Sequence, residues 1–173
     1  MEFVLQYLYY AGFVCIGLQR FERALEFFEQ CIAVPSWYVV SAFAVEAYKK
    51  YILVSLILYG ELKRDPGAKW HHRHFASVQP YQDLVKWIQM DTGQVQKEQQ
   101  NNGFVNDGNC ELVQLFVKKL PQFRVKRLSG IYSKLSLVSL AQRTGLTAPQ
   151  VESLLLQMVR LMDLICPHHT LYY

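Results

Sequence analysis

The chain has 173 residues, 51% hydrophobic and 18% charged, with a formal net charge of +4. That balance is globular, long enough for a core in one domain or two small ones, and too weakly basic to argue for nucleic acid by itself. Cys15, Cys31, Cys110 and Cys166 form no C-x-x-C pair, so a reducing, intracellular setting is expected, with Cys15 and Cys31 as small hydrophobes on helices.

Phe3–Ile16 reads as a helix, followed by a turn over Gly17–Gln19. Its apolar text mimics a signal peptide, but Glu2 stands where a positive charge belongs and Gln6 interrupts the run. Arg20–Val34 reads as a second helix, stopped by Pro35, with Phe21, Ala24, Leu25, Phe28 and Ile32 on one face. Gly12 and Ala24 are small enough to let the two helices approach closely. With Phe28, Cys31 and Pro35 they come near the tetratricopeptide spacing, Pro35 lying one position early.

Ser41–Gly60, SAFAVEAYKKYILVSLILYG, carries a candidate N-cap at Ser41 and a C′ glycine at Gly60. Its charges, Glu46, Lys49 and Lys50, fall at i, i+3 and i+4, which predicts one short patch facing water. The rest of its circumference is apolar, which predicts a helix buried on several sides. A membrane span is disfavoured, because each mid-helix charge would cost about 2.5–3.5 kcal/mol and the uncharged run Tyr51–Tyr59 is far shorter than the roughly 20 residues required.

Residues 61–109 lose this regularity. Asp65-Pro66-Gly67 is a turn signal, Lys69–His74 is basic, and Tyr81–Met90 could form a short helix. Asp91–Asn109, rich in Gln, Asn and Gly, reads as a connection around one short helix. Asn109 is a candidate N-cap for a helix over Cys110–Leu120. Pro121 predicts a turn, and Arg124–Lys134 another helix.

Leu135–Leu137 reads as a short extended strand and Val138–Thr144 as a short helix ending at Gly145. Thr147-Ala148-Pro149-Gln150 is a capping box that opens a helix with Val151, Leu154, Leu155, Met158 and Met162 on one face. This order of elements is that of a winged helix, whose wing is expected to be truncated because the text ends CPHHTLYY.

His71, His72, His74, Cys110, Cys166, His168 and His169 lack the paired spacing of a structural zinc site, so no metal is expected. No phosphate-binding glycine loop, dinucleotide fingerprint or nucleophile elbow occurs. The expectation is therefore no enzyme, no cofactor and no small-molecule substrate. Lys118, Lys119, Arg124, Lys126, Arg127 and Lys134 form a basic segment opposed only by Glu111. The helix that would read bases carries Arg160 against Glu152 and Asp163, and places Leu156 and Leu164 off its core face. No specific nucleic acid is expected, since phosphate contacts alone carry no sequence information. A partner protein suits such a surface better.

Tyr9-Tyr10-Ala11-Gly12, Gly17-Leu18, Phe21–Leu25 and above all Val45–Leu58 resemble the PCI-domain family. Leu112-Val113, Arg127-Leu128, Tyr132, Leu135–Leu137 and Leu140-Ala141 extend the resemblance into the winged-helix portion. Members of this family build the proteasome lid, the COP-nine signalosome and translation initiation factor three, and the signalosome members look most similar. The resemblance implies a mainly α fold: helical repeats over residues 1–120, irregular at 61–109, followed by a winged-helix subdomain over 121–173. Because the family's subunits have further helices ahead and a wing and helix behind, it also implies an incomplete copy.

The function implied is that of a non-catalytic scaffold among other PCI subunits, in nucleus and cytoplasm, away from membranes. Such a complex removes a ubiquitin-like modifier from cullins, and so regulates ubiquitin ligases, with the isopeptidase in another subunit. The isopeptidase motif H-x-H-x(7)-S-x(2)-D fails here, since His72-Arg73-His74 is followed by Gln82 and Val85 at the Ser and Asp positions. Leu135, Leu137, Leu156, Leu164, Lys126 and Arg127 are the candidate interaction residues. A proteasome-lid subunit and a nucleic-acid-binding winged-helix protein remain the alternatives.

Overall fold

In the computed structural model, residues 2–34, 41–66, 75–90, 102–131 and 136–165 are described, and all regular structure among them is helical. The chain divides into two units, Met1–Lys118 and Lys119–Tyr173. No described helix is long and apolar enough to cross a membrane.

The first unit opens with α1 (Glu2–Gly17) and α2 (Phe21–Ala33), an antiparallel pair. The left-handed residue of the turn between them is Gln19, at φ 58°, while Gly17 stays inside the helix. The N–H groups of Gln19 and Arg20 reach back to the carbonyls of Ile16 and Cys15 and close α1. Of the predicted face of α2, Ala24, Phe28 and Ile32 are buried and Phe21 and Leu25 are half-buried, while Cys31, outside that face, is buried as well. Gly12 is where the two helices meet most closely. A Cβ built there would lie 2.6 Å from the Phe28 ring, so only glycine fits. The Cys31 thiol donates to the Leu5 carbonyl at 3.6 Å, and burial pushes it up to about 11.

Against this pair lies α3 (Ala42–Tyr59). Ser41 Oγ accepts from the Phe43 N–H, and Gly60, left-handed at φ 75°, ends the helix. Thirteen of its eighteen residues are buried, which makes it the rod the unit is assembled on. The predicted water-facing patch is not there. Lys49 is 3% exposed and Lys50 4%, because residues far along the chain cover them.

α4 (Phe75–Gln89) also differs from expectation, running through Pro80 and beginning well before Tyr81. Val78, Tyr81 and Leu84 are buried on both sides of the proline. Their packing offsets the ladder bond that Pro80 cannot make. The single turn α5 (Asn102–Asn106) follows, and then α6 (Cys110–Ile131). Asn109 starts α6 with its carbonyl, which accepts from the Val113 N–H, while its side chain is engaged elsewhere. The turn predicted at Pro121 is absent and one helix continues through it, with Leu120 and Val125 buried on either side.

In the second unit, α7 (Leu137–Thr144) packs on α8 (Ala148–Ile165), and Leu140 and Val151 are buried. Thr147 N–H donates to Gln150 Oε1 at 3.0 Å, which is one half of the predicted capping box. The expected strand over Leu135–Leu137 is corrected. Ser136 is an N-cap whose hydroxyl accepts from the Ser139 N–H at 3.2 Å, and Leu137 is the first helical residue. A serine before a polar-apolar helix favours capping over a ladder. Leu135 lies outside the described residues.

Candidate functional site

Two features of the first unit have the chemistry of a site: a largely buried polar cluster and an uncharged apolar face left open. The cluster grows from Glu46, Lys49 and Lys50 on α3. Lys49 Nζ lies 2.6 Å from Glu46 Oε1 and 2.9 Å from Asp107 Oδ2. Lys50 Nζ donates to Asn109 Oδ1 at 2.9 Å, across a sequence separation of 59. It lies 5.5 Å from the ring centre of Tyr9 and 5.9 Å from that of Phe13, an aromatic seat for a cation. Tyr81 joins the halves, since its hydroxyl donates to Asp107 Oδ2 and accepts from Asn109 Nδ2, both at 2.7 Å.

The two lysines are pulled in opposite directions. For Lys50, burial lowers the ammonium's pKa, and Lys49 adds to this, while Glu46 and Asp107 oppose it. Burial also acts to lower Lys49, but its bonds to Glu46 and Asp107 outweigh that and leave it above its ordinary value. Burial raises Tyr81, so its hydroxyl stays protonated and able to donate. The two ammonium groups are buried while the Glu46 and Asp107 carboxylates reach partly to water, and these groups hold one another in place.

The open feature is the outer side of α1. Phe3, Tyr7, Tyr10 and Val14 recur at i, i+4, i+7 and i+11, and line a groove with Gln6, Ala11, Cys15 and Phe27. Phe3 is 85% exposed and Tyr7 66%. No lining residue carries a charge, so the face suits an apolar helix and offers nothing to an ionic ligand.

The residues singled out from the sequence fall elsewhere. Leu137 heads α7 and Leu156 lies on α8, and both are exposed. Leu156 shares a shallow depression with Pro149, Glu152, Ser153, Gln157 and Arg160. Lys126 and Arg127 are exposed on α6. Leu164 belongs to α8 by its backbone, and its side chain lies outside the described residues, as does Leu135. So do His71, His72, His74, Cys166, His168 and His169, and among the described residues no three His, Cys, Asp or Glu converge on a metal position. The sequence reading missed the inward role of Lys49, Lys50, Tyr81, Asp107 and Asn109. The one available signal was a pair of adjacent lysines on a helix apolar all round.

An antiparallel helix pair packed on a buried third helix is consistent with helical repeats. Residues 1–70 match the family of N-terminal helical repeats of COP9 signalosome complex subunit 3. Similarity to that subunit extends along most of the chain. It is 34% identical over 166 residues to COP9 signalosome complex subunit 3 of Arabidopsis thaliana, covering 89% of this chain. To the protein of the same name in Dictyostelium discoideum it is 28% identical over 162 residues, covering 90%. The chain spans 38% of the length of each of these relatives.

Proposed function

We propose that the chain is a non-catalytic architectural subunit of a COP9-signalosome-type complex, working in nucleus and cytoplasm beside other PCI subunits. In this role it supports removal of a ubiquitin-like modifier from cullins while the isopeptidase resides in another subunit. The observation that carries the reading is the similarity to subunit 3 over 89% of the chain, with its repeat portion at residues 1–70. The helix–turn–helix of α7 and α8 is taken as the helical half of a winged helix, and the uncharged face of α1 as a place for another helix to pack.

The experiment is co-expression of the full chain with the other signalosome PCI subunits, followed by size-exclusion chromatography. Co-elution is expected, weakened by Tyr7→Asp without a change in the chain's own melting temperature. A chain that elutes alone in all mixtures refutes the proposal. Tight duplex-DNA binding that falls steeply with salt would do so in favour of the nucleic-acid alternative.

A further inference from the structure

The turn after α5 is brought to α3 from far along the chain. α5 has five residues, too few to be stable as a helix by itself. Its end is closed by two bonds, Gly108 N–H to the Val105 carbonyl at 3.1 Å and Asn109 N–H to the Phe104 carbonyl at 2.9 Å. Gly108 sits at φ 66°, a conformation glycine adopts without strain. Flanking it, Asp107 and Asn109 meet Lys49 and Lys50 respectively. Beneath the turn, Phe104 meets Tyr81 edge-on at 5.1 Å. Such apolar contact fixes how deep the turn sits, but it is non-directional and tolerates sliding. The polar contacts do not, because a slip of one residue would place Gly108 opposite Lys50 and leave a buried ammonium without its acceptor.

We infer that the Lys49–Lys50–Tyr81–Asp107–Asn109 cluster is a register lock: it selects one seating of the Phe104–Asn109 turn on α3 and adds little to net stability. Removing one member strands its partner, whereas exchanging matched members for apolar groups removes the penalty together with the bond. Lys50 and Asn109 are the matched pair to test, because neither carries an ion pair to a carboxylate among the described residues.

The test uses the full chain as parent, as Lys50→Met, and as Lys50→Met with Asn109→Leu. Urea unfolding is combined with residue-resolved amide exchange. The lock predicts a lower urea midpoint for the single variant and recovery to the parent's value or above for the double. In the double, amide exchange at positions 108 and 109 should accelerate at least tenfold, while Phe28 and Ile32 on α2 keep the parent's rates. Retained protection at 108 and 109 overturns the inference. So does a double variant that is no more stable than the single one, or that fails to fold.

Discussion

Lys49 is the sharpest place to test the core, because sequence and structure demand opposite results there. A lysine in water loses little on truncation, within about 0.5 kcal/mol. The structure instead places its ammonium 2.6 Å from Glu46 and 2.9 Å from Asp107, with its side chain 4% exposed. Breaking a buried pair by removing one partner costs about 3–5 kcal/mol. Here the carboxylates keep 33% and 20% of their exposure, so water takes up part of the loss and about 2–3 kcal/mol is the better figure. Lys49→Met preserves most of the buried stem and should show that amount alone. Lys49→Ala also loses the γ, δ and ε methylenes at about 0.8 kcal/mol each, for a total near 4–5 kcal/mol. Against a typical stability of about 5–15 kcal/mol, the alanine variant would be close to unfolding. Urea denaturation followed by circular dichroism, with slopes compared, measures both. Losses below about 0.5 kcal/mol in both variants would mean that Lys49 faces water, and the reasoning would be refuted.

Gly12→Ala should destabilise by about 1–3 kcal/mol even though alanine is the better helix former, because its Cβ would press into the buried Phe28 ring. A melting temperature equal to the parent's would show that the ring can give way. Stability should also fall as pH rises past 10. Burial raises Tyr48 and Tyr81 above the ordinary 10.0, so both keep their proton when folded and lose it when unfolded, and their contribution, complete below pH 10, drains away above it. The lowered Lys50 acts in the opposite sense as a single group. Melting curves between pH 8 and 11.5 with tyrosinate absorbance should show ionisation of the buried tyrosines arriving together with unfolding. Ionisation of every tyrosine near pH 10 in a chain that stays folded would contradict the burial.

The helix ends were legible because their causes are local. Ser41 caps its neighbour two residues on, Gly60 ends α3, and Thr147 with Gln150 opens α8, all within one turn of chain. The buried face of α2 and the glycine contact at Gly12 followed from spacing alone. Packing decided what neighbours in sequence could not. Pro121 read as a turn and the helix after Pro80 as starting at Tyr81, yet buried residues on both sides carry the helices through both prolines. Leu137 read as strand until the Ser136 hydroxyl was seen capping a helix. Lys49 and Lys50 read as wet because three charges at helical spacing usually are. What takes them out of water is a turn whose asparagine lies 59 positions from Lys50, and the cost of burying a charge depends on partners in space.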